Sequence, residues 1–496
     1  MRLAAYFLRT ASPARTVARL VAPAPALRFA GGHAKSSRRS FSMHTPSKSA
    51  RALAAATVAA TVAATMTACV SQAVPAQATA APISASATSA PEIPATPAGK
   101  QLGWLIDASS RAPIPEDELK KHFSASFLKG VPADQINQVL TGFKDMRLTK
   151  IVQSRETALV ALVQAAGTAY EVVLSVDGAG LIGGLQFRPP APKSWSELDK
   201  RLRKAATQTG FLAAEVKKNG DCRPLHTVAG DKVRPLGSMV KLYVLGAVAQ
   251  RIKSGAFGWD TEITITPELK SLPSGQLQDR PDGSKVTVLE AAKLMISISD
   301  NTATDLLIHQ VGRKTVERTI RAWGNPDKRN APLLTTRELF VLKGADYPRH
   351  AKRYLSLSTA KKRDYLEKVV AKVPLDTIAA WDKPRELDTI EYFGSPSDIC
   401  QAYARLAKMP DKHVNEAMSI NDAGLGLPAK QWPTVWYKGG SEPGVHDQSF
   451  LARTSGGKTY VVTAMAVNPK AVLDDGALGL ELTALARGAF TLSSSS

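Results

Sequence analysis

The stretch Gly237-Ser238-Met239-Val240-Lys241, followed by the apolar run 242–248, sets a serine three residues ahead of a lysine at the start of a hydrophobic helix. That spacing puts both side chains on one helix face, a single turn apart. A helix N-terminus carries partial positive charge, which favours an alkoxide on Ser238, and a buried, uncharged Lys241 could take the hydroxyl proton. The pair is chemically sensible as nucleophile and base. Yet the same spacing recurs in Ser358-Thr359-Ala360-Lys361, within a basic polar segment, and in Ser455-Gly456-Gly457-Lys458, within a glycine-rich turn. Spacing alone does not select Ser238.

Two further stretches add weight. Ser299-Asp300-Asn301 follows the amphipathic segment 291–296, which Thr287-Val288-Leu289-Glu290 opens as a capping box, and precedes a helix over 304–311 closed by Gly312. By itself the tripeptide reads as a helix stop and N-cap. Val435-Trp436-Tyr437-Lys438-Gly439-Gly440-Ser441 reads as a strand carrying a lysine and then two glycines, which allow a ligand to approach the backbone closely. Gly457-Lys458-Thr459 imitates the end of a phosphate-binding loop. Ala452 stands where that loop needs glycine, and a strand follows rather than a helix, so the stretch reads as a hairpin turn.

The elements that must position these residues can be read around them. A helix over 196–207 and a strand pair over 211–217 and 223–228 lead to Ser238, whose helix ends near Ser254-Gly255. A short strand spans 263–265, strands lie around 449–453 and 460–467, and a helix over 476–489 closes the chain. Ahead of them, short helices from Ile114 onward carry Phe123, Phe127, Leu128, Val139, Leu140 and Phe143 on their apolar side. Strand-like runs follow at 148–153, 158–164, 170–176 and 181–187. Helices followed by a meander predict a small α+β domain from residue 100 to 192, ended by the linker Pro189-Pro190-Ala191-Pro192.

Composition bounds the rest. The 496 residues, 44% of them hydrophobic, can bury two ordinary cores. The formal charge is +21, and about half of the excess lies before residue 52, where ten Lys and Arg occur with no Asp or Glu, the pattern of a targeting segment. The remaining surplus of roughly +11 could favour an anionic membrane or acidic wall polymer, although a solvated surface explains it as well. No nucleic-acid-binding signature accompanies the charge, so no nucleic-acid partner is expected. Residues 52–66 form an Ala/Val/Thr-rich run too short and weak for a transmembrane helix. Residues 70–99, nearly all Ala, Ser, Thr and Pro, read as a flexible tether. Three cysteines exclude a disulfide framework; Cys222 and Cys400 could pair in an exported protein, but nothing in the sequence shows that they approach each other. Scattered histidines and the lack of Cys-x-x-Cys predict no zinc site, and no other metal or cofactor is expected.

Three resemblances follow from these residues. Met66-Thr67-Ala68-Cys69 resembles the lipobox of bacterial lipoproteins, which implies cleavage before Cys69 and its acylation. Residues 1–69 would then be an export segment, with the protein on the outer face of the cytoplasmic membrane or in the periplasm, held by a lipid anchor. Ser37-Arg38-Arg39-Ser40-Phe41 resembles a twin-arginine export motif, unless Met43 is the true start. From Ser238 to the C-terminus the three motifs, in order and with about sixty residues between the first two, resemble the serine β-lactamase and penicillin-binding-protein superfamily. The likeness is greatest to a two-domain subfamily that includes a clavulanic-acid-cluster serine hydrolase. It implies a ketosteroid-isomerase-like α+β domain, of structural or substrate-shaping purpose, followed over 193–496 by a class A-like αβα sandwich with an antiparallel sheet.

The same resemblance implies the roles. Ser238 attacks a strained amide or ester carbonyl, Lys241 acts as base or relay, and Ser299, between Lys241 and Lys438, passes a proton to the leaving group. Asn301 orients the substrate, Lys438 faces its carboxylate, and the backbone N–H groups of Ser238 and Ser441 form the oxyanion hole beside Gly439 and Gly440. Two departures stand out. Lys438-Gly439-Gly440 lacks the usual hydroxyl residue after lysine, and the Glu-x-x-Leu-Asn pattern of the deacylating loop is not found. The stretch 381–388 echoes it loosely, leaving Glu386 or Glu391 as candidate deacylation bases, and the segment from Ser299 to Lys438 is longer than in class A by roughly thirty residues, mostly over 340–385. The expected activity is an exported, monomeric serine hydrolase acylated by β-lactams or related esters. The alternatives are a D-alanyl-D-alanine peptidase acting on a cell-wall peptide and an acylated, non-hydrolysing penicillin-binding protein.

Overall fold

A computed structural model describes Phe7–Leu8, residues 91–272 and residues 274–495. Cys69, and nearly all of the predicted export segment and tether, lie outside these described residues. Order begins earlier than the composition of 70–99 suggested. Helix Pro97–Arg111 starts within that stretch, capped by Thr96, whose side chain accepts from Gly99 N at 3.1 Å. Proline at the first helical turn is a start signal as much as a breaker, and there it opens the helix.

The small domain packs helices Pro97–Arg111, Glu116–His122, Ala125–Gly130 and Ala133–Gly142 against an antiparallel sheet. The sheet order is Phe7–Leu8, Ile182–Arg188, Thr168–Val176, Ala158–Ala165, Arg147–Ser154. Strand Ala158–Ala165 alternates strictly between buried and half-buried residues, so a period of two delivers Leu159, Ala161 and Val163 to the core. There they meet Leu102, Leu105, Phe123, Phe127, Phe143 and Phe187.

The larger domain is built on a five-stranded antiparallel sheet ordered Thr434–Glu442, Val445–Arg453, Thr459–Val467, Gln208–Val216, Cys222–Val228. Its central strands are buried on both faces. Leu212, Ala214, Leu451 and Val461 point into the core of the helical layer, while Phe211, Ala213, Phe450 and Val462 meet helices Trp195–Ala205 and Asp475–Ser494. Alternating side chains thus serve two cores, which makes the sandwich three-layered. Helix Lys241–Lys253 runs through the first of these cores, buried on almost every side. A Cβ on Gly246 would lie 1.9 Å from the Trp323 ring, so only glycine fits at that crossing. The long segment between the second and third motifs adds helices Thr336–Gly344, Arg349–Leu355 and Thr359–Lys368.

Three details correct or complete the sequence expectation. The capping box at Thr287 is half made: Thr287 Oγ1 accepts from Glu290 N at 3.1 Å, while the Glu290 carboxylate pairs with Arg280. Cys222 and Cys400 form a disulfide, with Cα atoms 6.3 Å apart, joining an edge strand to helix Pro396–Ala407. The proline linker is fastened rather than free. Pro189 O accepts from Arg487 at 2.8 Å and Pro190 O from Arg201 at 2.7 Å, and Arg487 also pairs with Glu171 of the small domain at 3.3 Å.

Candidate active site

Ser238 lies in a 3-10 turn, Gly237–Val240, immediately before helix Lys241–Lys253, rather than within the helix itself. Gly237 has a φ of +47°, in the left-handed region that glycine adopts without steric cost. The turn packs against the end of strand Thr434–Glu442. A Cβ on Gly440 would lie 2.1 Å from Leu236 O and 2.9 Å from Ser238 N, and one on Gly237 would lie 3.1 Å from Ser441 N. The two glycines therefore let two backbones close on each other, bringing the backbones of Ser238 and Ser441 to one contact. Gly439 is restricted as well, because a Cβ there would meet the Tyr437 hydroxyl at 2.2 Å. Ser238 is half-buried and Ser441 exposed, so both open toward solvent.

Behind this edge two lysines converge on one hydroxyl. Lys241 Nζ lies 3.0 Å from Ser299 Oγ and Lys438 Nζ lies 3.1 Å from the same atom. Lys241 also donates to Ser299 O at 2.6 Å and Asn301 Oδ1 at 2.8 Å, and Lys438 donates to Gly439 O at 2.8 Å. Burial lowers the Lys241 amine to about 7, against the pull of Asp300 and Asp305 in the other direction. Lys438 is pushed well below its ordinary value by burial and by the neighbouring Lys241. A neutral amine has two N–H donors and one lone pair. Two acceptors without protons, Ser299 O and Asn301 Oδ1, occupy both donors of Lys241 and leave its lone pair for a hydroxyl.

Ser299-Asp300-Asn301 is held by the loop before it. Ser299 has a φ of 60°, a strained conformation for a residue with a Cβ. Its carbonyl accepts from Ser274 Oγ at 3.0 Å as well as from Lys241. Asp300 is wholly buried and spent on structure: its carboxylate accepts from Gln276 N, Leu277 N and Ala303 N at 2.7–3.0 Å. Asn301 Nδ2 donates to Leu272 O at 3.1 Å, which fixes its Oδ1 toward Lys241.

The two acids considered for deacylation are placed apart. Glu386, at a left-handed φ of 51°, accepts from Thr389 Oγ1 at 2.6 Å and Tyr347 OH at 3.4 Å. No hydrogen bond links it to the lysine cluster. Glu391 lies directly behind the nucleophile turn, 5% exposed, with Oε2 accepting from Gly237 N at 3.1 Å and Tyr392 N at 2.7 Å. Sequence reasoning did not single out Ser274, Asp305, Lys343 or Glu442, all of which adjoin the site or its supports. No local pattern marks them, since each meets its partner across a large sequence separation. Among the described residues no group of three His, Cys, Asp or Glu side chains is placed to hold a metal ion.

Comparison with known proteins agrees with this architecture. Residues 193–377 match the model of the β-lactamase enzyme family, and residues 93–182 match that of the ORF 12 gene product N-terminal domain. Among solved structures, the chain is similar to PBP-A, with 19% identity, 62% of this chain and 100% of that chain covered, and a TM-score of 0.41. It is also similar to a β-lactamase from Sphaerobacter thermophilus (20% identity, 61% and 99% covered, TM-score 0.43) and to the class A β-lactamase from Mycobacterium abscessus (17%, 61% and 99%, 0.41). No curated protein matches the chain. The match to the β-lactamase enzyme family over 193–377 thus falls on the three-layered antiparallel fold, and the ORF 12-type N-terminal match over 93–182 falls on the small domain ahead of it.

Proposed function

We propose that the protein is an exported serine hydrolase that is acylated on Ser238 by β-lactams or related esters. The observation that carries this reading is the convergence of two buried lysines on Ser299 Oγ, at 3.0 and 3.1 Å, beside a half-buried serine at a glycine-lined backbone contact. Ser238 Oγ attacks the carbonyl carbon as its proton passes to the neutral Lys241 amine. The oxyanion takes hydrogen bonds from Ser238 N and Ser441 N, each donor worth about 3 kcal/mol by analogy with such sites. As the C–N or C–O bond breaks, the proton travels from Lys241 through Ser299 to the leaving atom. Lys438 faces the substrate carboxylate, and Asn301, shared with Lys241, orients its acyl side chain.

The Cys222–Cys400 disulfide supports export, since such bonds persist in oxidising compartments. Lipid anchoring through Cys69 rests on the lipobox resemblance alone. One observation favours a second reading, a penicillin-binding protein or D-alanyl-D-alanine peptidase with slow deacylation toward β-lactams: the acid nearest Ser238, Glu391, is buried and already accepts two backbone N–H groups.

Intact-protein mass spectrometry over time, with a penicillin and a cephalosporin, tests both. An adduct that maps to Ser238, is lost in Ser238→Ala and disappears from the parent with time is the expected result. A persistent adduct would select the second reading, with D-alanine release from stem peptides as its check. An adduct of equal yield in Ser238→Ala would overturn both.

A further inference from the structure

A buried cluster of charge lies on the far side of the nucleophile turn from Ser299. Lys343, fully buried on helix Thr336–Gly344, donates to both carboxylate oxygens of Glu442 at 2.7 and 2.9 Å. Glu442 ends the strand that carries Lys438 and follows Ser441 directly. Glu391 Oε1 lies 4.0 Å from the same lysine, so the two carboxyls flank one ammonium. Its other oxygen accepts from Gly237 N, the residue before the nucleophile. Asp447, buried on the neighbouring strand Val445–Arg453, also faces Glu391, and one of its oxygens has no hydrogen-bond partner.

Glu391 and Glu442 meet at one ammonium out of water, where both cannot be ionised, while Asp447 has the Arg234 guanidinium as a counter-charge of its own. Lys343 balances one of them, and its bidentate geometry selects Glu442. Glu391 Oε2 is occupied by two backbone N–H groups, so the proton needed where one lysine cannot balance two carboxylates has Oε1, on the Lys343 side, to sit on. We propose that Glu391 and Glu442 share a proton that fastens the two halves of the oxyanion hole together, Glu391 holding the Gly237–Ser238 turn and Glu442 the Ser441 strand end. Glu391 is then a positioning residue, not the base of deacylation. The role rests on the acyl-transfer reading above. Burial and the adjacent Glu442 raise the Glu391 carboxyl to about 8, and burial also lifts Asp447 well above the usual carboxylate range. Loss of the shared proton above pH 8 places a second negative charge behind the site where an oxyanion must form and breaks the link between the two donors.

The test compares the full chain with Glu391→Gln, whose amide oxygen still accepts from Gly237 N and whose NH2 donates to Glu442 at every pH. Acylation by a chromogenic cephalosporin is followed by stopped flow from pH 6 to 10, with intact mass for the adduct and NMR of the Gly237 amide in parallel. In the parent, acylation falls at least fivefold between pH 7.5 and 9.5 and the Gly237 amide shift titrates near pH 8. In Glu391→Gln the fall is under twofold and the amide does not titrate. An alkaline decline that survives in Glu391→Gln would overturn the proposal and assign the limb to Lys438. A variant that acylates but holds its adduct while the parent turns over would make Glu391 the deacylating base, and so overturn it too. A parent that never acylates would defeat the acyl-transfer reading and the positioning role with it. In that case an amide titration lost in Glu391→Gln would still show the shared proton, separating the two failures.

Discussion

At the scale of single residues, the site depends on keeping a lysine neutral. Lys241 is 1% exposed, and the carboxylates acting on it, Asp300 and Asp305, are themselves held by backbone N–H groups rather than paired with the amine. Desolvation therefore outweighs attraction, and the amine titrates near 7. The sign follows directly: below that pH the amine is protonated and cannot accept from Ser238, and above it the lone pair is free. The acylation rate constant should rise about tenfold per pH unit below 7 and bend over near it, ahead of the alkaline fall that the Glu391 proton sets. Single-turnover kinetics across pH 5–8 check this, and a flat profile would exclude Lys241 as base. Asp300 shows how a residue inside a motif can have a wholly structural duty. Its three backbone hydrogen bonds hold the loop 274–277 against the helix start, which in turn holds Ser299 in its strained conformation.

At the scale of elements, the decisive contact is between a turn and a strand. Strand Thr434–Glu442 and the turn Gly237–Val240 come so close that Gly440 has no room for a side chain. Gly440→Ala should push the strand end from Leu236 O, misalign Ser441 N, and lower acylation at least a hundredfold. The domain should stay folded, because the contact is between two backbones at the sheet's edge strand. Parallel measurement of acylation and thermal unfolding separates the two effects; an unchanged acylation rate would show that the close approach is dispensable. The elements themselves were largely legible in the sequence. Strand pairs, the buried helix after Ser238 and the closing helix rest on periods of 2 and 3.6 in the apolar residues, which any local window displays. The start of helix Pro97–Arg111 was not, because its Ala- and Pro-rich surroundings look the same in a tether and in a capped helix.

At the scale of the whole molecule, covalent and ionic ties join parts that are distant in sequence. The disulfide links residues separated by 178 positions, and removing it by Cys222→Ser with Cys400→Ser should cost about 2–5 kcal/mol. Denaturant unfolding of the two forms checks the value; equal midpoints would mean that the bond does not constrain the folded chain. The two domains are tied by Arg487, which reaches both Glu171 and the Pro189 carbonyl, with Glu171 held from its own sheet by Arg188 at 2.8 Å. Burial lowers the Arg487 guanidinium to about 9, so this junction depends on Glu171 for its charge balance. The small domain is therefore docked on the hydrolase fold through its last strand and the closing helix.

The amino-acid sequence by itself determined the three motifs, their order and the resemblance to the β-lactamase superfamily, because each motif is contiguous and its neighbours set its local structure. Ser238, Lys241, Ser299, Asn301 and Lys438 could all be named once the three motifs, in order, were set beside the family they resemble. Only the tertiary structure decided which partners complete them. The pairing of Cys222 with Cys400, the grip of Ser274 on Ser299 and the Lys343–Glu442–Glu391 cluster each join residues from separate elements. The physical reason is that burial and charge balance belong to a volume, not to a segment. A glutamate in a loop reads as a solvated acid or a candidate base until the fold removes its water and sets a lysine, a second glutamate and a backbone N–H around it.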